Sequence, residues 1–227
     1  MSFFQNKIVP RMLGIAAAAA FGLWVFIEVA EQVLEGETGS FDRAVLLALR
    51  MRGNPVHALG PVWMEGVARD ITALGSIPVL SLFVIIVALF LILVRRWWTA
   101  FFVLLSTAGG IAVTFLLKHV FGRARPDLFP HGDIVVSASF PSGHAMISAL
   151  VYLTLGALVT GLTTSRTIKA YVMLVALGLT AIVGASRVYL GVHWPTDVLA
   201  GWAAGAVWAL AWWTLVELAR IRAGGVK

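Results

Sequence analysis

Ser186-Arg187-Val188-Tyr189-Leu190-Gly191-Val192-His193-Trp194-Pro195-Thr196-Asp197 closes one apolar run and opens another. Proline is excluded from a helix interior but suits its first turn, so a new helix starts near Pro195. His193 then sits just before that helix and Asp197 within its first turn, where the helix dipole favours a carboxylate. At that spacing Asp197 can hydrogen-bond one nitrogen of His193, leaving the other as base, nucleophile or ligand. Read alone, the segment is equally a membrane-interface turn whose polar residues face water. The remainder of the chain has to separate these two readings.

Working outward, the composition is that of a polytopic membrane protein. Of 227 residues, 60% are hydrophobic and 12% charged, against roughly half and a quarter in soluble domains. There is no cysteine, which excludes disulfides, thiolate nucleophiles and thiolate metal sites. A span needs about 20 apolar residues. Six candidates are read at 12–34, 71–94, 97–117, 145–162, 168–185 and 198–219. Residues 11–27 begin like a signal peptide, but the apolar run continues to about Val29 with no small-x-small cleavage site, so they belong to the first helix. Phe41 to Arg52 sets Val45, Leu46 and Leu49 against Asp42, Arg43, Arg50 and Arg52. It is too short to span and is read as an interfacial helix. The expected fold is therefore all-α: an integral membrane bundle of six transmembrane helices with a short interfacial helix in the first outer loop. Residues 1–227 form a single domain, with no long linker and no repeat.

Charge gives the orientation. The short inner loops hold Arg95-Arg96 and Arg166 to Lys169 without acids, while every acidic residue except Glu217 falls on the other side. Both termini are thus expected in the cytoplasm. The net charge of +6 is divided between loops on both faces, and no Arg-rich stripe interleaved with aromatics reads as a nucleic-acid surface. An alternating topology gathers Lys118 to Arg125, Ser142 to His144 and Ser186 to Asp197 at the outer surface. Cations, two histidines, an aspartate and a glycine-flanked serine at one face suit phosphate chemistry, in which catalysis is mostly positioning and electrostatic stabilisation. Lys118 offers a point charge and Arg125 and Arg187 bidentate forks. Ser142 offers a hydroxyl, and the backbone N–H groups at Ser142 and Gly143 open a helix as an anion site. Gly143 permits close approach of the backbone. His193, oriented by Asp197, would attack phosphorus, and His144 would protonate the departing oxygen and then activate water. No metal and no cofactor is required, and no carboxylate cluster offers a metal site.

The three blocks are Lys118, six residues, Arg125-Pro126; Pro141-Ser142-Gly143-His144; and Ser186-Arg187, five residues, His193, three residues, Asp197. In order and spacing they resemble the complete signature of the type 2 phosphatidic acid phosphatase superfamily. The resemblance implies His193 as nucleophile, His144 as general acid, and Lys118, Arg125, Ser142, Gly143, His144 and Arg187 around the phosphate. It also implies a lipid phosphate as partner, drawn from phosphatidylglycerophosphate, phosphatidic acid, diacylglycerol pyrophosphate, undecaprenyl pyrophosphate and lipid A phosphates. The expected setting is the outer face of a bacterial inner membrane, with no obligate protein partner evident. Two rivals are a vanadate-haloperoxidase-like activity, whose bearers are soluble, and a lipid-phosphate binding or transport protein. A transporter would carry polar residues at mid-membrane depth, and these spans have almost none. Outside the signature, a phosphate or headgroup contact is the minority reading for Arg123, His119 is read as structural, and Asp127, His131 and Asp133 could select substrates, although solvated loop residues are the commoner case. Gly201 and Gly205 read as a close-packing face.

Overall fold

The structure, a computed structural model, describes residues 2–128 and 137–222, and for 2–9, 11 and 220–222 the backbone alone. His131 and Asp133 lie outside the described residues. Helix α1 (Ser2–Glu35) leads to a short α2 (Gly39–Ala48), an antiparallel pair β1 (Arg50–Met51) and β2 (Asn54–Ala58), and then α3 (Trp63–Ala73) and α4 (Ile77–Leu93). Four helices complete the chain: α5 (Trp97–Phe121), α6 (Gly143–Thr160), α7 (Arg166–Tyr189) and α8 (Pro195–Arg222). Five helices are long and apolar enough to cross a membrane, or six if α3 and α4 count as one bent span.

That bend corrects the expected span 71–94. The helical segment there starts eight residues earlier, at Trp63, and breaks by 44° between α3 and α4. Pro78 stands at the start of α4, where a missing N–H costs nothing. Gly75 sits in the break because α7 passes close by: a Cβ there would lie 2.3 Å from Val183 Cγ1. The charged residues Glu65, Arg69 and Asp70 hid α3 behind the look of a loop. The pair β1–β2 was likewise unforeseen; it turns at Arg52-Gly53, with Gly53 at φ 85°.

Helix α6 is the most enclosed of the candidate spans and packs against α4, α5, α7 and α8. Its contact with α8 is nearly backbone to backbone. A Cβ on Gly201 would lie 2.7 Å from the carbonyl oxygen of Ser142, and one on Gly205 2.4 Å from that of Met146. Small residues at such a crossing let two helices approach as side chains would not. The α4–α5–α6 side is filled by Leu80, Val84, Leu91, Val103, Ile147 and Leu150. Outward, α4 is apolar all round, with Leu82, Phe83, Ile86, Leu89 and Phe90 exposed, as expected of a helix facing hydrocarbon.

Helix α2 departs from its expected amphipathic pattern. Asp42, assigned to the polar face, is fully buried beside Leu46, and Arg50 is buried too, its guanidinium donating to the Tyr189 carbonyl at 3.0 Å. A carboxylate is kept in such a place only when donors surround it. Those donors come from the candidate site.

Candidate active site

The ends of α5 and α7 and the starts of α6 and α8 lie at one end of the bundle. Each delivers its polar residues through a defined terminus. Helix α5 stops at Gly122, left-handed at φ 56°, with its N–H on the Lys118 carbonyl; the chain then leaves toward Arg123 and Arg125. Helix α7 closes with two bonds, Val192 N–H to the Arg187 carbonyl and Gly191 N–H to that of Val188, with Gly191 at φ 73°. This is the Schellman pattern, which needs a residue free to be left-handed. It presents His193 immediately before α8. Pro195 is the first residue of α8, and Asp197, two further on, reaches back to the Trp194 N–H at 3.0 Å. An acid in that position satisfies a donor the helix itself leaves open. Ser142 caps α6 by accepting from Ala145 N–H, while its own N–H donates to the Asp197 carbonyl at 2.9 Å. The starts of α6 and α8 are thereby joined.

His193 is 1% exposed and Asp197 fully buried. Asp197 Oδ2 lies 3.3 Å from His193 Nδ1 and also accepts from the Ser139 hydroxyl. Arg125 Nη1 sits 3.1 Å from His193 Nε2 and 2.7 Å from the Val192 carbonyl. A guanidinium has only donors, so Nε2 must be the bare, accepting nitrogen and Nδ1 must carry the proton toward Asp197. Burial pushes the His193 pKa down to about 3, with Arg125 and Arg187 adding to the fall and Asp197 opposing it. The imidazole is accordingly neutral across the physiological range.

The other predicted residues surround this pair. Lys118, 8% exposed, is held by the carbonyls of Ala138 and Ser139. A Cβ on Gly143 would rest 3.4 Å from Lys118 Cε, so the start of α6 and the lysine are in contact. His144 follows Gly143 in the first turn of α6, at the same end of the bundle. Arg187 is 4% exposed and donates to Thr72 Oγ1 on α3 at 3.2 Å. All eight sequence-selected residues (Lys118, Arg125, Ser142, Gly143, His144, Arg187, His193 and Asp197) therefore meet at one end of the bundle. Asp127 is exposed and joins none of the contacts described for them. Among the described residues, no group of three or more His, Asp or Glu side chains is placed to hold a metal ion.

Arg123 proves to be a connector. Its Nη1 lies 2.7 Å from Asp197 Oδ1 and 2.9 Å from Thr196 Oγ1; its Nη2 lies 2.7 Å from Asp42 Oδ2 and 3.0 Å from Thr38 Oγ1. Asp42 in turn accepts from Thr196 N–H at 3.0 Å and Thr196 Oγ1 at 2.7 Å. The guanidinium also stands 5.6 Å from the centre of the Trp194 ring. Arg123 is thus paired with two protein carboxylates, a role the sequence left undetermined. Sequence reading missed Ser139, Thr72, Thr38 and Asp42 as parts of this site. Their types are ordinary and their distances along the chain give no spacing signal.

A membrane bundle with a buried His–Asp pair facing a cluster of cations at one membrane end is a phosphate-handling architecture. A sequence model of the PAP2 superfamily matches residues 99–221, and the chain belongs to that superfamily of membrane lipid phosphatases. Its relatives include phosphatidylglycerophosphatase B of Bacillus subtilis, 33% identical over 79% of this chain and 85% of that protein. The undecaprenyl-diphosphatase of Sulfolobus acidocaldarius is 31% identical over 53% of this chain and 57% of its own. The crystal structure of a transmembrane PAP2-type phosphatidylglycerolphosphate phosphatase from Bacillus subtilis superposes with a TM-score of 0.79 at 29% identity, covering 88% of this chain and 96% of that one. That of Aquifex aeolicus LpxE shares the fold, with a TM-score of 0.52 at 22% identity over 69% of this chain and 88% of that one.

Proposed function

We propose that this chain removes phosphate from a lipid phosphomonoester or pyrophosphate through a phosphohistidine at His193. The observation that carries the reading is the pair of contacts on the His193 ring, Asp197 at Nδ1 and Arg125 at Nε2, from which the tautomer follows. With Nδ1–H directed to Asp197 and Nε2 bare beside Arg125, the imidazole is neutral, oriented and turned toward the cations. Nε2 attacks phosphorus as the bond from phosphorus to the leaving oxygen breaks, and His144 gives that oxygen its proton. Water then attacks the phosphohistidine, His144 takes a proton from it, the N–P bond breaks and inorganic phosphate leaves. Lys118, Arg125 and Arg187, with the Ser142 hydroxyl and the N–H groups at Ser142 and Gly143, stabilise the charge that spreads over the equatorial oxygens. The cations supply the charge stabilisation that a metal would otherwise give, so the reading is metal-independent.

The activities for which the relatives are named favour phosphatidylglycerophosphate or undecaprenyl diphosphate as the substrate class, and the family resemblance adds phosphatidic acid. In this reading 1–227 is one domain, α3 and α4 form one bent span among six, and α2 rides the interface. The basic, acid-free loops at Arg95-Arg96 and Arg166 to Lys169 favour cytoplasmic termini and an active site on the outer face of a bacterial inner membrane. The test is phosphate release by the detergent-purified protein across that lipid panel, wild type beside His193→Ala. Release that vanishes in the folded variant is the expected result. Substantial residual turnover would remove His193 from the nucleophile's role, and no release from any lipid would remove the phosphatase reading.

A further inference from the structure

A cavity opens at the end of the bundle away from the candidate active site. The start of α5, the end of α6, the start of α7 and the last turns of α8 enclose about 1090 Å³ there. Small-ligand sites usually occupy roughly 300–1,000 Å³, so the space is large enough for more than an ion. None of its lining residues belongs to the three motif blocks.

The lining changes character with depth. At the rim Arg96, Arg166 and Lys169 are exposed, and Glu217 is the one carboxylate among the lining residues. Phe102 and Trp212 form apolar wall beneath them. Deeper lie Thr154, six residues before Thr160 on α6 and so roughly 9 Å below it, and Ser106, ten residues beyond Arg96 and so roughly 15 Å in. Both hydroxyls are buried and lack a hydrogen-bond partner in the protein, and Ser106 is 1% exposed. Thr107, Thr114 and Thr180, by contrast, each donate to the carbonyl four residues back, the usual recourse of a hydroxyl in an apolar helix. Buried polar groups are almost always paired, so two unpaired donors lining one cavity point to acceptors brought by a ligand.

We infer that this cavity binds one anionic glycerophospholipid from the leaflet opposite the active-site end. Its phosphate lies on Arg96, Arg166 and Lys169, and its ester carbonyls accept from Thr154 and Ser106. Cations at the rim and an apolar wall with two hydroxyl donors set deep within it match the phosphate, the acyl chains and the ester carbonyls of such a lipid. A free phosphate ion would use the rim and leave the apolar interior and both deep hydroxyls unanswered.

Native mass spectrometry of the full chain in detergent, titrated with phosphatidylglycerol, phosphatidylcholine or inorganic phosphate, tests this. One phosphatidylglycerol should remain bound, phosphatidylcholine should bind more weakly, and millimolar phosphate should not displace the lipid. Arg166→Gln with Lys169→Gln should weaken binding about thirtyfold, the effect of two cations at a lipid headgroup. Arg125→Gln, at the other end, should leave it unchanged. Ser106→Ala with Thr154→Val supplies a readout independent of the rim: the lipid-free protein should melt higher, because two unpaired donors are gone, and the shift produced by phosphatidylglycerol should shrink. Equal binding of both lipids, an unaffected rim variant, displacement by phosphate, or no retained lipid would each overturn the inference.

Discussion

Replacing Arg123 by Gln would leave Asp42 and Asp197, both fully buried, without the guanidinium that stands 2.7 Å from each. Removing one partner from a buried ion pair costs about 3–5 kcal/mol, a large part of the roughly 5–15 kcal/mol by which a folded domain is stable. Arg123→Lys is milder. A lysine keeps the charge but reaches only one carboxylate, so about one charge-assisted hydrogen bond is lost, ~1.5–3 kcal/mol. The catalytic consequence runs through Asp197, which holds His193 Nδ1. Loosening the support of a carboxylate–histidine pair costs about ten- to hundredfold in activity where it has been measured at metal sites, equivalent to ~1.4–2.7 kcal/mol on the barrier. The expected signature for Arg123→Lys is thus a kcat lowered by that factor with KM little changed, because Arg123 binds protein carboxylates and not the phosphate. Asp42→Asn, at nearly constant volume, should move both quantities in the same direction by less. Phosphate-release kinetics per folded molecule, beside thermal unfolding in detergent, provide the assay. A lowered melting temperature with unchanged kcat would reduce Arg123 to a structural brace, and no change in either would refute the network as described.

Orthovanadate, a mimic of five-coordinate phosphorus, should inhibit competitively and EDTA should leave turnover intact; chelator-sensitive activity would contradict the metal-independent mechanism. The folded protein leaves His193 neutral down to about pH 3, whereas the unfolded chain protonates it near 6.5. The unfolded state therefore binds more protons between these values, and stability should fall as pH is lowered through that window. Melting temperatures of wild type and His193→Asn across pH 7 to 4 should converge on the acid side, and parallel curves would refute this assignment. Gly201→Ala would place a methyl 2.7 Å from the Ser142 carbonyl and push α8 off α6, so both melting temperature and kcat should drop. Wild-type behaviour of that variant would mean the helix crossing yields easily.

Much of this was readable in advance because it rests on local chemistry. Pro195 marks a helix start by itself, and the spacing from His193 to Asp197 places both groups within one turn, whereas the helix before them, expected to end at 185, runs on to Tyr189. Gly201 and Gly205 announced a close helix contact, and the structure supplies its other half, the backbone of α6. What stayed hidden depends on distant partners. Asp42 looks like one more charge on an amphipathic strip, and only the fold reveals Thr196 and Arg123 around it. Ser139 stands two residues before Pro141 with nothing to separate it from a loop serine. Helix α3 was lost because its charged residues imitate a loop, although Ala68 and Thr72 bury one face and Thr72 receives Arg187.

The guanidinium of Arg125 lies against His193 Nε2 and the Val192 carbonyl. On the proposed function, an incoming phosphate therefore meets an arginine already satisfied from within and does not fill a vacancy. It must exchange partners with the protein, gaining contacts to Arg125 only as the arginine releases its own. Net affinity for a bare phosphate ion is then a small difference between two well-bonded states. A lipid-borne phosphate can tip that difference with the contacts of its apolar body. On the proposed function that advantage is gone once the ester is cut, and the return of Arg125 to its contact with Nε2 would favour departure of the ion. Weak product inhibition by inorganic phosphate follows from a resting state that competes with its own ligand.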